Sequence, residues 1–370
     1  MNKLTVIMKV TDKCNMKCKH CYEAENELCN TMPVMSTEVL EKTIKEVQQS
    51  YQSVTYIWFG GEPLLAGIEF FEKAVAFQKK YNKGNIINNR IQTNGTKINK
   101  IFIEFLKKYD FNVSVSFDGI YNHFLRQETE KVLQNIELCR QLNLPLNVIS
   151  TVCAKTCDKQ IENYEYFKKL KLPMKFNPIF PAGAAKVNSE FLLDEKLYFE
   201  ETIKFFKYWI RDEKAVPVST FIQYIKMFLN YLGRNCVYGA CLYTVIDIEP
   251  NGDILPCSRY STDEYIVGNI NNIENFDDVF KSGVYEKIVL ASIERRKKCK
   301  EECKLYSYCL GGCSSACANE TELKNNNTQL CRITKNILPI VFDELDTICK
   351  SNDIRNPILK YFVTVQNPLS

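Results

Sequence analysis

The sequence predicts an α/β fold built on a parallel sheet and followed by a smaller cysteine-rich domain. Two features indicate this. Apolar runs alternate with helix-period segments through the first half, and from Cys236 onward the chain changes to short strands, turns and dense cysteines. A chain of 370 residues also exceeds the usual size of a single core. We therefore expect one large domain and one small one.

Six runs in the first half have the length and β-branched content of buried strands. They lie at Leu4–Val10, Thr55–Phe59, Ile86–Thr93, Asn112–Phe117, Leu146–Val152 and Met174–Phe180. A helix is predicted to begin after Ser36 as N-cap, and others to cover residues 69–81, 98–109, 127–142 and 158–170. Strands separated by helices form parallel sheets, whose chemistry lies at the carboxyl ends of the strands.

The domain boundaries follow from these changes in pattern. Residues 1–185 form the sheet domain, and residues 186–232 form an aromatic-rich helical bridge. Residues 233–335 form a small domain that bound metal would have to hold together. Residues 336–370 are a final helix and a tail. The amphipathic helix is predicted over residues 333–349.

The composition excludes several classes of protein. Hydrophobic residues make up 45% and charged residues 25%, which are ordinary globular values. The net charge of +4 and the lack of a basic, aromatic-rich stripe give no sign of nucleic-acid binding. No apolar run is long enough to span a membrane, and the start lacks a signal-peptide cleavage site. We expect a cytoplasmic protein with neither nucleic acid nor membrane as partner.

Seventeen cysteines are unusual for such a protein. A reducing cytosol does not keep disulfides, so this number points to metal ligands or catalytic thiols. Scattered cysteines such as Cys139 and Cys349 can simply pack as small apolar residues. Three tight groups are harder to explain in that way.

The first group follows the first strand with the spacing Cys14-x3-Cys18-x2-Cys21. Three thiolates on one loop can ligate three irons of a [4Fe–4S] cube and leave the fourth iron open, whereas a purely structural cluster normally recruits a fourth cysteine. A zinc site remains the alternative from spacing alone, although zinc would want one more ligand.

Polar motifs follow the next three strands at their carboxyl ends. Each motif taken singly is consistent with a simple turn. They are Gly60-Gly61-Glu62-Pro63, Gln92-Thr93-Asn94-Gly95-Thr96 and Ser114-Val115-Ser116-Phe117-Asp118-Gly119. The paired glycines permit close approach of a ligand, and Glu62 offers an acceptor for an ammonium group.

The thiol loop and these motifs together resemble the radical S-adenosylmethionine (SAM) superfamily over residues 1–180. The resemblance implies a partial (β/α)6 barrel in which Cys14, Cys18 and Cys21 hold a [4Fe–4S] cluster. It also implies that the Gly60–Pro63 segment holds the methionine amino group of SAM. The other implied SAM-binding residues are His20 near the adenine, Ser116 and Asp118 near the ribose, and Arg126 near the methionine carboxylate.

The resemblance also implies the type of reaction. An electron from an external donor of the flavodoxin or ferredoxin type cleaves SAM, and the 5′-deoxyadenosyl radical abstracts hydrogen from an unreactive C–H bond. The protein's task is to position the reactants and to exclude water and oxygen.

Eight cysteines in the second half divide into two sets of four, enough for two further cubes, although two zinc ions are the alternative. Their order resembles the SPASM extension of peptide-modifying radical SAM enzymes. That resemblance implies a nearer auxiliary cluster on Cys236, Cys241, Cys257 and Cys313, and a farther one on Cys299, Cys303, Cys309 and Cys331. Three residues rather than the family's usual two separate Cys299 from Cys303, and Cys317 could replace Cys313.

Members with this extension mostly modify peptides or protein side chains. Our leading expectation is a thioether or carbon–carbon crosslink in a ribosomally made peptide. Because the chain begins at the first strand, we expect no N-terminal segment that grips a leader peptide. An anaerobic sulfatase-maturing activity, which oxidises a Cys or Ser side chain to formylglycine, is the alternative. A non-catalytic iron–sulfur or zinc protein would be a different class.

The proton acceptor is an open question at this stage. In the sulfatase-maturing enzymes an Asp directly follows the cysteine that matches Cys257, whereas this chain has Ser258. Candidates to replace it are Asp247, Asp263 and Glu264. Cys153, Cys157 and Cys29 are candidate reactive thiols, although packing is the simpler explanation for each.

Overall fold

A computed structural model describes residues 2–25, 33–231, 236–239, 241–260 and 262–366. Its first helix shows how local sequence sets the elements. The Ser36 Oγ accepts a hydrogen bond from the Val39 backbone N–H at 3.2 Å and caps the helix. Leu40, Ile44 and Val47 then recur at helical spacing and are fully buried on one face.

The strands and helices have the following bounds. The strands are β1 Lys3–Thr11, β2 Ser53–Gly60, β3 Ile86–Thr93, β4 Asn112–Ser116, β5 Leu146–Val152, β6 Met174–Pro178, β7 Val245–Ile248, β8 Asp253–Leu255 and β9 Gly268–Asn269. The helices are α1 Thr37–Ser50, α2 Ile68–Tyr81, α3 Lys100–Lys108, α4 Asn122–Leu125, α5 Thr129–Gln141, α6 Gln160–Lys169, α7 Ala184–Val187, α8 Glu195–Trp209, α9 Ser219–Phe228, α10 Gly283–Glu302, α11 Tyr306–Cys309, α12 Ser314–Glu320, α13 Gln329–Ser351 and α14 Pro357–Gln366.

The strands form one sheet in the order β6-β5-β4-β3-β2-β1-β7-β8-β9. Strands β1 to β6 are all parallel, which confirms the predicted α/β fold with its partial barrel. Strand β7 adds in parallel to the free edge of β1, with Ile7 opposite Asp247. Strands β8 and β9 follow in antiparallel order. The cysteine-rich half thus continues the sheet of the first half.

The two faces of the sheet differ in chemistry. The side that packs against helices carries buried apolar residues such as Val6, Met8 and Trp58. The opposite side, which we call the inner face, is largely polar. It is formed by the alternate residues of each strand, among them Lys9, Arg90, Ser116, Thr151, Lys175 and Asp247.

The predicted helical bridge packs under β6. Phe205 of α8 and Phe221 of α9 lie 4.7 Å apart between ring centroids, and both contact Phe176 of β6. Aromatic contacts of this kind bury large areas and fix the geometry between elements. Helix α13 then packs against α8 and α9.

The tail differs from the sequence-based expectation because it contains a further helix, α14. The fully buried Asn356 explains how this helix starts. Its Oδ1 accepts hydrogen bonds from the backbone N–H groups of Ile358 and Leu359, and its Nδ2 donates to the Trp209 carbonyl at 2.7 Å. Among the helices of the described ranges, none combines the length and apolar character needed to cross a bilayer.

Candidate functional site

The first thiol group lies on a loop that neighbouring segments fix at several points. The Lys19 backbone N–H donates to the Leu125 carbonyl at 2.9 Å, and the Ala184 N–H donates to the Cys21 carbonyl at 2.9 Å. Asn94, at the end of β3, places Nδ2 3.8 Å from the Cys14 Sγ. The three thiols Cys14, Cys18 and Cys21 are each half-buried. The loop is therefore fixed before any cofactor binds.

Two glycines join this loop to the end of β2. The Gly61 N–H donates to the Thr11 carbonyl, and the Glu62 N–H donates to the Lys13 carbonyl, each at 2.8 Å. A Cβ at Gly60 would lie 2.2 Å from the Thr11 carbonyl oxygen, and one at Gly61 would lie 2.3 Å from that of Lys13. Only glycine permits this close approach of two backbones.

Glu62 links the ends of β2 and β3. Its carboxylate, with 0% exposure, accepts hydrogen bonds from Thr93 Oγ1 at 2.7 Å and from the Asn94 and Leu64 backbone N–H groups at 2.7 and 3.0 Å. Burial raises the pKa of Glu62 to about 7, and these hydrogen bonds oppose the rise. The Glu62 carboxylate thus accepts three hydrogen bonds from the protein itself. The contact between Glu62 and SAM that the sequence suggested stays a prediction.

The end of β4 carries a buried ion pair. The Arg126 Nε donates to the Asp118 Oδ2 at 2.8 Å, and the Thr151 backbone N–H donates to the Asp118 Oδ1 at 2.6 Å. The Arg126 guanidinium also lies 3.1 Å from the His20 Nε2. Burial and the charge of Arg126 hold the pKa of His20 well below its usual range. The His20 Nδ1 is buried and has no hydrogen-bond partner among the described residues, so it is available to a ligand.

The second thiol group assembles around Cys313, the N-cap residue that precedes α12. Burial raises the pKa of the Cys236, Cys241 and Cys257 thiols, and proximity to Cys313 raises each of them further. The Ser315 Oγ lies 3.1 Å from the Cys313 Sγ and 4.0 Å from the Cys257 Sγ. These four thiols are the predicted set for the nearer cluster.

The third group brings together Cys299, Cys303, Cys309 and Cys331. Burial raises the pKa of the Cys309 thiol, and the other three thiols are close enough to add to this shift. The Asn326 Nδ2 donates to the Cys299 Sγ at 2.6 Å. Cys317 is fully buried next to Arg295, whereas Cys313 lies close enough to raise the pKa of all three thiols, Cys236, Cys241 and Cys257. The arrangement therefore favours Cys313 over Cys317 in the second group.

The predicted proton acceptors lie in different places. Asp263 and Glu264 are exposed on a turn between β8 and β9. Asp247 is fully buried on β7. Cys153 is buried in a small apolar cluster, with its Sγ 3.6 Å from the Thr156 Oγ1. Cys157 is likewise buried, and Cys29 lies outside the described residues.

Three charged residues around Asp247, namely Lys9, Glu23 and Glu249, were not predicted from the sequence. Lys9 of β1 pairs with Glu23 at 2.8 Å and with Glu249 at 3.1 Å. A lysine inside an otherwise apolar strand was the available signal. Arg259, close to Cys257 and Cys313, was missed as well, and charge alone did not distinguish it.

The donor chemistry fits iron–sulfur clusters. The structure arranges thiols in groups of three, four and four, which are the numbers that one open cube and two fully ligated cubes require. In the part of the chain that the structure describes, no three His, Cys, Asp or Glu side chains converge as ligands of a single metal ion. The buried, unpartnered His20 Nδ1 beside the first group fits a second, organic ligand there.

A partial barrel with an open-cube loop at its strand ends, joined to two further thiol groups, defines an iron–sulfur enzyme of the radical SAM type. The family model of the radical SAM superfamily matches residues 8–170, and that of SPASM, an iron–sulfur cluster-binding domain, matches residues 236–309. The chain belongs to the radical SAM superfamily and carries a SPASM domain. This confirms the predicted enzyme class and its cofactors, SAM and [4Fe–4S] clusters.

Similar proteins cover nearly the whole chain. A cysteine-type anaerobic sulfatase-maturating enzyme of Clostridium novyi (strain NT) is 29% identical over 335 residues, spanning 85% of this chain and 88% of that protein. One from Clostridium perfringens is 27% identical over 371 residues, spanning 95% and 100%. A solved structure of native anSMEcpe with bound AdoMet and Kp18Cys peptide superposes with a TM-score of 0.83 at 26% identity, covering 94% and 99%.

These relatives match the alternative activity considered from the sequence. The leading expectation, a crosslink in a ribosomally made peptide, is not confirmed. The structure of Streptococcus suis SuiB bound to S-adenosylmethionine has a TM-score of 0.64 at 19% identity, and that similarity concerns the fold alone.

Proposed function

We propose that this enzyme oxidises a cysteine side chain of a protein substrate to an aldehyde, giving formylglycine. The observation that carries the proposal is the similarity to anSMEcpe with bound AdoMet and a Cys peptide, which extends over 94% of this chain. Two relatives that span 85% and 95% of this chain are cysteine-type enzymes. A cysteine is therefore the substrate that we propose.

We propose three clusters and assign their ligands accordingly. Cys14, Cys18 and Cys21 hold the SAM-binding cluster. Cys236, Cys241, Cys257 and Cys313 hold the nearer auxiliary cluster, and Cys299, Cys303, Cys309 and Cys331 the farther one. The grouping of these thiols supports the assignment. When bound, SAM and its cluster supply a 5′-deoxyadenosyl radical that abstracts hydrogen from the substrate.

The chain's own residues bind and orient SAM in this proposal. The Gly60–Pro63 segment, fixed to the cluster loop, receives the methionine amino group, while His20 Nδ1 faces the adenine. Ser116, at the end of β4, meets the ribose. Asp118 and Arg126 form the ion pair that supports this edge, and the remaining Arg126 donors receive the methionine carboxylate. The hydrogen bonds already on the loop support such preorganisation.

We also propose an electron donor and a cellular compartment for the enzyme. The electron comes from an external donor of the flavodoxin or ferredoxin type. The protein works in the cytoplasm, because a chain with seventeen cysteines suits a reducing environment.

The test is anaerobic turnover of the reconstituted enzyme with a short cysteine-containing peptide. Mass spectrometry should show exchange of the thiol for a carbonyl, a hydrazine should trap the aldehyde, and the same peptide with alanine should stay unchanged. Iron analysis should give about twelve atoms per chain. Formation of 5′-deoxyadenosine without any aldehyde would refute the proposed activity.

A further inference from the structure

A buried cluster of one lysine and three carboxyl groups lies on the inner face of the sheet. Because β7 pairs in parallel with β1 at Ile7 and Asp247, the side chains of Lys9, Asp247 and Glu249 share this face. The Lys9 Nζ lies 2.8 Å from the Glu23 Oε2 and 3.1 Å from the Glu249 Oε2. We call these four residues the Lys9 cluster.

Asp247 is the member without a hydrogen-bond partner. Its side chain has 0% exposure, and neither carboxyl oxygen is hydrogen-bonded within the described part of the chain. An unpartnered buried carboxyl costs stability, since it has lost water without gaining a replacement. A group kept at such a cost is a candidate for function.

The charges around Asp247 favour the bound proton. Burial raises the pKa of Asp247 well above its usual range, Glu249 and Glu23 raise it further, and Lys9 opposes them. Tyr22, in the turn after Cys21, is a further ionisable neighbour of Asp247. One ammonium facing three carboxyl groups leaves an excess of negative charge, which is suited to taking up a proton.

Electrostatic interactions connect the Lys9 cluster with residues beside the first and second thiol groups. Glu23 follows Cys21 by two residues, and the neighbouring Tyr22 interacts electrostatically with both Asp247 and Arg259. Arg259 in turn lies close to Cys257 and Cys313. The side chains of Lys9, Glu23 and Glu249 keep 7, 12 and 13% exposure, so the cluster reaches the space in front of the sheet. A side chain oxidised between the two sites would meet these groups.

We propose that Asp247 takes up the proton that leaves the substrate, acting through the partly exposed side chains of Lys9 and Glu249. This inference rests on the proposed function. Ser258, which follows Cys257, has no carboxyl group that could accept a proton. Asp263 and Glu264 lie on an exposed turn. Asp247 is the candidate carboxyl that is both buried and on the inner face.

The chemical step balances in atoms and electrons. A hydrogen atom moves from the substrate Cβ to the 5′-deoxyadenosyl radical. The carbon radical would then lose its thiol proton, which passes by way of Lys9 and Glu249 to Asp247. An oxidised iron–sulfur cluster, when bound, would accept the remaining electron as the C=S bond forms. Water adds to that carbon and hydrogen sulfide leaves, which gives the aldehyde.

The main test compares the cluster-loaded wild type with Asp247→Asn on the cysteine peptide. The quantity measured is the ratio of aldehyde to 5′-deoxyadenosine across about pH 6 to 9. We expect the wild-type ratio to rise with pH and the variant's ratio to fall by about 10²-fold and to lose its pH dependence. Deuterium transfer from a β-deuterated cysteine into 5′-deoxyadenosine should persist in the variant, because hydrogen abstraction precedes proton loss.

Thermal unfolding of the loaded proteins separates this role from a structural one. Asp247→Val removes an unpartnered buried carboxyl and should therefore raise Tm. The same variant should also lose the formation of aldehyde while it still forms 5′-deoxyadenosine. A lower Tm in both Asp247→Val and Asp247→Asn would make Asp247 a structural residue and overturn the proposal. Glu274→Gln, on an exposed turn, is the matched control and should change neither quantity.

The outcomes distinguish this inference from the function on which it rests. A wild type that forms 5′-deoxyadenosine but no aldehyde overturns the proposed function and this inference together. A wild type that forms aldehyde, with an unchanged ratio and pH profile in Asp247→Asn, overturns this inference alone. The ratio of aldehyde to 5′-deoxyadenosine could instead fall in Asp263→Asn or Glu264→Gln and stay unchanged in Asp247→Asn. That result would make a carboxyl of the exposed turn the proton acceptor and would refute the role of Asp247.

Discussion

The Arg126 Nε donates a hydrogen bond to the Asp118 Oδ2 at 2.8 Å, in an ion pair whose side chains keep 10% and 2% exposure. Burial raises the pKa of Asp118, whereas Arg126 and the Thr151 backbone N–H lower it. The pair joins the end of β4 to His20 on the thiol loop. The buried ion pair of Asp118 and Arg126 thus holds the end of β4 against the loop that carries the first thiol group.

Breaking this pair should be costly. Arg126→Met leaves the Asp118 carboxylate buried and unpaired, so we expect the free energy of unfolding to fall by about 3–5 kcal/mol. Adding Asp118→Asn to that variant should restore most of the loss, because the uncompensated charge is gone. Anaerobic urea unfolding of the loaded proteins measures both changes. Equal instability of the single and double variants would contradict the argument.

Gly61→Ala should damage the first cluster. The added Cβ would lie 2.3 Å from the Lys13 carbonyl oxygen and 2.4 Å from that of Asp12, directly before Cys14. Because backbone atoms must move, we expect a loss of about four irons per chain and no SAM cleavage. Gly283→Ala is the control, since nothing lies within 4 Å of its Cβ position. Full iron content in Gly61→Ala would disprove the expectation.

Asn326→Ala should tune the farther auxiliary cluster. The Asn326 Nδ2 donates to the Cys299 Sγ at 2.6 Å, and hydrogen bonds to ligand sulfurs stabilise the more reduced cluster. Its removal should shift the reduction potential of that cluster to more negative values and leave the other two unchanged. A redox titration followed by electron paramagnetic resonance resolves the signals. The exposed neighbour Asn327→Ala serves as control, and an equal shift there would count against this role.

Asp212 should stabilise the fold at neutral pH. It accepts hydrogen bonds from the Tyr164 hydroxyl at 2.7 Å and from the Lys214 N–H at 2.9 Å, and it pairs with Lys168 at 2.6 Å. Burial alone would raise the pKa of Asp212, but these partners outweigh it and the pKa is lowered. Asp212→Asn should therefore cost about 1.5–3 kcal/mol of unfolding free energy.

The pH dependence of that difference has a defined sign. A carboxyl with a lowered pKa in the folded state contributes its stability above the unfolded value of 3.8 and loses it as pH falls through the folded pKa. The difference between wild type and Asp212→Asn should thus stay constant between about pH 5 and 8. Urea unfolding at several pH values measures it, and a slope within that range would show that Asp212 titrates abnormally high.

The sequence predicted the first six strands well because each is a short segment with apolar or β-branched residues between clear helical segments. The strand-end motifs also met as expected, since parallel strands bring their carboxyl ends to one edge. The grouping of the eight later cysteines depended on resemblance, because spacing alone does not pair distant thiols. Helix α14 was missed because its capping residue Asn356 acts only once it is buried against Trp209.

The Lys9 cluster could not be predicted from the sequence. Lys9 and Glu249 lie 240 positions apart, and their contact depends on the parallel pairing of β1 with the four-residue strand β7. So short a strand carries little periodic signal of its own. Pairing across that separation is decided by tertiary structure.

The pairing of β7 with β1 also has a consequence for biosynthesis. As the polypeptide leaves the ribosome, one edge of β1 stays without hydrogen-bond partners until residues 245–248 have emerged. A nascent chain arrested before that point exposes a long apolar edge and is prone to aggregate. Chains that end before residue 245 should therefore give insoluble product rather than a free, folded N-terminal domain.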